Sequence, residues 1–171
     1  MQGSWTSRAW LVAAVGLALA VSACSEKPKV DSQLSQSNLR DNINGPVVPG
    51  SPREFAVRVG DTVYFETDSD QLTADAQNIL RGQAQWLRQY SQYTIAVEGH
   101  ADERGTREYN LALGAKRAAA VRAFLAQSGV EAARMRTISY GKERPVEVCN
   151  DISCWSKNRR SQTVLNRRTS S

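Results

Sequence analysis

The sequence predicts an α/β fold, a sandwich in which helices pack on a mixed sheet in the element order βαβαββ. Segments with the two-residue alternation of a half-buried strand are followed by segments with helical periodicity. Thr73 stands before the first helical segment, where it can cap the first turn. Of 171 residues, 41% are hydrophobic, which suits one domain of ordinary size.

The predicted elements follow one another from residue 62 onward. Strands are expected at residues 62–65, 93–98, 135–140 and 161–165, where apolar and β-branched residues concentrate. A helix is expected from Thr73 to about Tyr90, and a second from about Thr106 to Ser128, with Gly129 as its C-terminal cap. The apolar faces of these helices are formed by Ala76, Ile79, Leu80, Gln83, Leu87 and Tyr90 in the first and by Ala118, Val121, Phe124 and Leu125 in the second.

Charge and metal-ligand counts exclude two functional classes. The chain has 22 Lys and Arg against 17 Asp and Glu, a net charge of +5. The whole excess lies in residues 152–171, which contain five basic residues and no acid, so a uniformly basic nucleic-acid-binding surface is excluded. One histidine and three cysteines do not form the ligand set of a zinc finger.

The N-terminal segment has the pattern of an export signal. Residues 9–21 are uninterruptedly apolar, and thirteen residues of helix rise only about 20 Å, less than the roughly 30 Å of a bilayer core. Residues 1–23 are therefore predicted to be a signal peptide. The sequence Val21-Ser22-Ala23-Cys24 resembles a bacterial lipobox and implies a lipid on Cys24; the alternative is an ordinary cleavage site beside an incidental cysteine. Ser25 in place of Asp implies sorting to the outer membrane.

Composition divides the remainder into a linker and a domain. Residues 24–52 hold four of the five prolines together with many small polar residues, and this composition predicts a lipidated N-terminus followed by a flexible linker. Residues 53–168 are predicted to form the domain. Within it, Cys149 and Cys154 flank a polar turn, which in an exported protein favours a disulfide over two free thiols.

Residues 97–110 carry the densest set of functional side chains. They lie between a predicted strand and a helix, a common place for ligand sites. Three interpretations remain open on the residues alone: a metal site formed by Glu98, His100, Asp102 and Glu103, a catalytic histidine with an acid, or a solvated polar loop that packs around His100.

The sequence E-G-H-A-D-E-R-G-T-R-E-Y-N-L-A-L-G-A-K-R-A, residues 98–118, resembles the signature of the OmpA-like peptidoglycan-binding domain family. The D-E-R-G-T and E-Y-N elements resemble its lipoprotein branch, the peptidoglycan-associated lipoproteins. Supporting blocks are V-Y-F-E-T-D at 63–68, I-S-Y-G-K-E-R-P at 138–145 and S-K-N-R-R at 156–160. Residues 149–155 depart from the usual pattern, because that loop ordinarily lacks cysteines.

The resemblance implies a binding site for diaminopimelate, a residue of the peptidoglycan stem peptide. Asp102 would pair with the ammonium group of its free end, and Arg117 with the carboxylate. Asn110 and Leu113 share a helical face with Arg117 and are expected to line the same pocket. Thr67 and Asp68 match a second contact region, although Asp68 also suits a turn before the Thr73 helix.

The same resemblance implies partners and location. The expected partners are peptidoglycan, the outer-membrane bilayer through acylated Cys24, TolB and the other proteins of the Tol-Pal system, and OmpA-type proteins. It implies a periplasm-facing lipoprotein that ties the outer membrane to the cell wall and supports constriction in division, with no catalysis and no cofactor.

Arg159 and Arg160 match an N-R-R element that either contacts a ligand or forms salt bridges. The alternatives are a wall hydrolase and a module that binds only proteins.

Overall fold

A computed structural model describes residues 47–167. The predicted signal peptide, Cys24 and most of the predicted linker lie outside the described residues. The strands are β1 (Thr62–Tyr64), β2 (Tyr93–His100), β3 (Met135–Gly141) and β4 (Arg160–Arg167), and the helices are α1 (Pro52–Glu54), α2 (Ala74–Gln89), α3 (Arg107–Gln127) and α4 (Ile152–Asn158). A π-helical turn, Phe55–Gly60, follows α1, and a 3₁₀ turn, Ala132–Arg134, precedes β3.

The four strands form one mixed sheet in the order β1-β4-β2-β3. Strand β4 is antiparallel to both of its neighbours, whereas β2 and β3 are parallel and are connected through α3. The predicted α/β class with helices on a mixed sheet is confirmed. The sequence did not predict α1, the π-helical turn or α4, because segments this short show no full period of an apolar face. Within residues 47–167, no helix is long and apolar enough to cross a bilayer.

Both long helices begin at the threonines that the sequence predicted. The Thr73 hydroxyl accepts a hydrogen bond from the Ala76 amide at 3.1 Å, and the Thr106 hydroxyl accepts one from the Tyr109 amide at 3.2 Å. Helix α3 ends in a Schellman motif, since the Val130 amide bonds the Leu125 carbonyl and Gly129 has a φ of +89°. The predicted apolar faces of both helices bury against the sheet with Phe55, Val63, Phe65, Ile95 and Val97.

Helix α3 approaches β2 closely at a pair of glycines. A Cβ atom added to Gly99 would lie 1.9 Å from the Gly114 carbonyl oxygen, and one added to Gly114 would lie 2.5 Å from Ser139 Oγ. The two backbones therefore touch where any side chain would separate them. This contact places the C-terminal end of β2 beside the middle of α3.

Residues at the start of the described chain pack on the domain. The Tyr93 hydroxyl donates a hydrogen bond to the Gly50 carbonyl at 2.9 Å, and the Gly50 amide donates one to Glu54 at 2.8 Å. The Trp86 indole donates to the same Glu54 carboxylate at 2.9 Å, and Phe55 packs on the Trp86 ring. These hydrogen bonds lower the pKa of Glu54. The end of the segment predicted as linker thus contacts α2 and β2.

Candidate functional site

The predicted site residues meet in one pocket at the C-terminal end of β2. It has a volume of about 270 Å³. All six residues that the sequence pointed to as ligand contacts lie in its lining, and three further residues join them. The lining consists of Thr67, Asp68, Asp102, Arg104, Gly105, Tyr109, Asn110, Leu113 and Arg117.

Asp102 lies two residues after the end of β2 and is only 8% exposed. Its Oδ2 atom lies 2.8 Å from Arg104 Nη2 and 3.4 Å from Arg159 Nη1. Burial on its own would raise the pKa of Asp102, but the hydrogen bonds and charge of Arg104, together with Arg159, outweigh burial and lower this pKa below its usual value. The pocket therefore holds a carboxylate that is ionised at neutral pH.

Arg117 lies in the middle of α3 and is completely buried. Its guanidinium donates to the carbonyls of Ser69 at 2.8 Å, His100 at 2.8 Å and Glu66 at 3.1 Å. Burial lowers the pKa of Arg117 to about 10, and Arg159 adds to this effect, so the side chain is still protonated at neutral pH. Three of the five N–H groups of a guanidinium are thus used to join α3 to β2 and to the 66–69 turn.

The loop between β2 and α3 is fixed from two sides. The side-chain amide of Asn110 donates hydrogen bonds to the backbone carbonyls of Arg104 at 2.7 Å and Thr106 at 3.1 Å. From the end of β3, the Lys142 ammonium donates to the carbonyls of Glu103 at 3.2 Å and Gly105 at 2.6 Å. Asn110 therefore lines the pocket and also shapes the loop that carries Asp102, a role that its place on the helical face did not reveal.

Thr67 and Asp68 also line the pocket and lie in a turn after β1. Asp68 has a φ of +55°, a backbone conformation that aspartate tolerates better than most residues. Its carboxylate accepts a hydrogen bond from the Tyr109 hydroxyl. Asp68 is thus both a turn residue and a pocket residue. The two predictions made for it are compatible, because the turn places its side chain at the pocket.

The two arginines of the N-R-R element brace the structure. Arg159 is buried, donates to the Phe65 carbonyl at 3.1 Å and pairs with Asp102. Arg160 donates to the Arg144 carbonyl at 3.2 Å. Of the two interpretations left open, the salt bridge describes Arg159, since this residue supports the carboxylate of the pocket from behind.

His100 is not in the pocket lining. Its ring is buried and stacks on Tyr140 at 5.5 Å between ring centroids, and neither ring nitrogen has a hydrogen-bond partner among residues 47–167. Burial lowers the pKa of His100 to about 3, with Arg160 and Arg144 adding to the shift. In the same part of the chain, no group of three or more His, Cys, Asp or Glu residues is arranged to hold a metal ion.

Arg104 and Tyr109 line the pocket, although they were not singled out in the sequence. The position of Arg104, two residues after Asp102, was the available signal, because an aspartate side chain commonly bonds the backbone two residues on. A third residue lies beside the pocket: Trp155 packs its ring 4.3 Å from the Arg104 guanidinium and donates to Glu103 Oε1 at 2.5 Å. A disulfide joins the preceding Cys154 to Cys149.

Comparison with known proteins agrees with this architecture. Residues 64–159 match the OmpA family. The chain is 58% identical over 154 residues to the peptidoglycan-associated lipoprotein of Agrobacterium fabrum, covering 90% of this chain and 86% of that protein. Identity to the Pseudomonas aeruginosa protein of the same name is 43% over 152 residues, covering 86% of this chain and 90% of that protein.

Solved structures show the same fold. The crystal structure of the peptidoglycan-associated lipoprotein from Burkholderia pseudomallei superimposes with a TM-score of 0.60 at 46% identity, covering 61% of this chain and 89% of that one. The C-terminal domain of Helicobacter pylori MotB gives a TM-score of 0.58 at 25% identity, covering 61% and 83%. On this evidence the chain belongs to the OmpA family, among the peptidoglycan-associated lipoproteins.

Proposed function

We propose that this protein binds peptidoglycan noncovalently, through the diaminopimelate residue of the stem peptide. The observation that carries the proposal is that Asp102 and Arg117 line the same pocket of about 270 Å³. The names of the relatives, which state an association with peptidoglycan, support the same ligand. A binding role requires no reactive group, and the proposal includes no catalytic step.

The chemistry of the ligand matches the two charges. The free end of diaminopimelate carries an ammonium and a carboxylate on one carbon atom. Asp102 is the acceptor for the ammonium, and Arg117 offers the carboxylate those N–H groups that it does not use on the carbonyls of Ser69, His100 and Glu66. Asp102 and Arg117 are buried, so the ligand has to displace the side chains that cover them, and each contact then forms where little water competes with it.

The same proposal extends to the cell envelope. Acylation of Cys24 would anchor the chain in the outer membrane, because several acyl chains each add about 0.8 kcal/mol per buried methylene. The segment predicted as a linker at residues 24–52 would let the domain reach the wall, so the protein would tie membrane to wall. On this basis we assign the protein to the Tol-Pal system, with TolB as a partner and with a role in membrane constriction during division. The resemblance to a lipobox and the lipoprotein relatives support this assignment.

The test is co-sedimentation of the full chain with purified sacculi, measured over a range of wall concentrations. Asp102→Asn removes the charge and preserves the shape, and Arg117→Lys preserves the charge and removes the planar donor set. We expect each variant to bind at least about tenfold more weakly, the equivalent of about 1.4 kcal/mol. Circular dichroism of each variant verifies that it is folded.

Two controls make the result specific. Glu131→Gln and Lys116→Gln each remove an exposed charge outside the pocket lining and should bind like the wild type. Sacculi with lysine in place of diaminopimelate lack the terminal carboxylate and should pellet the protein poorly. The pocket assignment is wrong if Asp102→Asn and Arg117→Lys pellet like the wild type. If the wild type itself stays in solution, a module that binds only proteins becomes the better description.

A further inference from the structure

The carboxylate of Asp102 has no acceptor position left for a ligand. Its Oδ1 atom accepts from the Arg104 amide at 3.2 Å and from Arg104 Nε at 3.1 Å. Its Oδ2 atom accepts from Arg104 Nη2 at 2.8 Å and from Arg159 Nη1 at 3.4 Å. A carboxylate has about four lone-pair positions, so a further donor can bind only after one of these hydrogen bonds breaks.

Arg104 is the partner that a ligand can reach. Its side chain is 42% exposed, whereas the side chain of Arg159 is 6% exposed. Arg159 is also held on its inner side by the Phe65 carbonyl. A ligand that binds Asp102 therefore displaces the Arg104 guanidinium, which forms two of the four hydrogen bonds to this carboxylate.

Trp155 contacts the same guanidinium that binds Asp102. The Arg104 guanidinium lies over the Trp155 ring at 4.3 Å from its centroid, a distance at which the ring attracts a cation. The ring itself is fixed, because its N–H donates to Glu103 at 2.5 Å and because the neighbouring Cys154 is bonded to Cys149. The Arg104 guanidinium thus contacts both a carboxylate and an aromatic ring.

We propose that Arg104 occupies the ammonium position of the pocket in the unliganded protein, and that Trp155 is the positioning residue that holds it there. This inference rests on the proposed function. Binding is then an exchange of one cation for another on Asp102. A ligand whose amine has been acetylated cannot make this exchange, so Arg104 and Trp155 set the charge specificity of the pocket.

The experiment is calorimetric titration of the full chain with meso-diaminopimelate and with its N,N′-diacetyl derivative, which has no ammonium group and is expected not to bind. Trp155→Ala removes the ring, and we expect it to tighten binding of the free amino acid about two- to fivefold, the range of an exposed cation–π contact. Trp155→Phe retains a ring without the N–H that bonds Glu103 and should give an affinity between those of the wild type and Trp155→Ala. Ile152→Ala, an exposed change on the same helix, is the control and should leave affinity unchanged.

A second measurement separates positioning from a general structural role. NMR titration of the Asp102 carboxyl should give a higher pKa in Trp155→Ala than in the wild type, since Arg104 is bound to the carboxylate for a smaller fraction of the time, and an intermediate pKa in Trp155→Phe. Unchanged or weaker binding by Trp155→Ala overturns the inference while leaving the peptidoglycan site in place. Equal affinity of the wild type for the free and the acetylated compound also overturns the inference. If the wild type does not bind meso-diaminopimelate and Asp102→Asn sediments with sacculi like the wild type, the proposed function fails and the inference fails with it.

Discussion

Replacing Gly99 by alanine tests the packing that brings the pocket together. The new Cβ atom would lie 1.9 Å from the Gly114 carbonyl oxygen and 2.7 Å from its carbonyl carbon. Nonbonded heavy atoms are most stable at about 3.5 Å or more, so helix α3 has to move away from β2 by about 1.5 Å. These two atoms belong to the backbone, and the third neighbour is Ala118 Cβ at 3.2 Å, so no side-chain rotation relieves the contact.

The expected cost follows from this displacement. Overpacking a well-packed core costs typically about 1–3 kcal/mol, and Gly99→Ala lies at the upper end because a whole helix must shift. For a domain of this size, a loss of about 3 kcal/mol lowers the melting temperature by roughly 10 °C. The shift also draws Arg117 away from the His100 carbonyl, which it bonds at 2.8 Å, so the affinity for sacculi should fall as well.

The assay is thermal and urea unfolding followed by circular dichroism, combined with co-sedimentation. Gly82→Ala is the matched control, because a Cβ atom there meets only Val59 Cγ1 at an ordinary 3.7 Å. That change lies inside α2 and should leave stability unchanged or raise it by up to about 1 kcal/mol. The reasoning is refuted if Gly99→Ala unfolds at the wild-type temperature, since the two backbones would then have space between them.

Three further outcomes follow from individual contacts. The free energy of unfolding should fall as the pH drops below about 4. The pKa of Asp102 is lowered in the folded state, so this residue loses its stabilising contribution when it is protonated. In urea unfolding, Asp102→Asn should therefore show a weaker dependence of stability on pH than the wild type. Arg134→Leu should cost about 3 kcal/mol in urea unfolding, because Arg134 satisfies the carbonyls of Tyr93 and Leu87 at 2.7–3.0 Å inside the protein. Reducing the Cys149–Cys154 disulfide should lower the free energy of unfolding by about 2 kcal/mol in the chain-entropy model, measured with and without reductant.

The long elements could be predicted because their signals are local. Thr73 and Thr106 occupy the cap positions, Gly129 supplies the left-handed residue that ends α3, and the apolar residues of each helix repeat at its own period. The strand order could not be predicted in this way. Strand β4 inserts between β1 and β2, an arrangement fixed by contacts between residues about a hundred positions apart.

The charged residues of the candidate site could be predicted from the sequence, whereas the contacts that bring them together could not. The spacing of Asp102 and Arg117 gave no evidence that they meet, and only the family resemblance joined them. Their meeting depends on the Gly99–Gly114 contact, which no periodicity indicates. The role of Trp155 was hidden for the same reason, because the short helix that carries it reaches the pocket only once the chain has folded.

The way the chain enters the domain has a mechanical consequence. A force that pulls on the segment before Val47 acts first on two contacts. Gly50 is bonded to Tyr93 of β2, and Glu54 is bonded to Trp86 of α2. The edge strand β1, with only three paired residues, comes later along the chain and is loaded only after those contacts yield. If the N-terminus is anchored and the domain binds the wall, as proposed, tension between the two should detach residues 50–54 before β1 separates from the sheet.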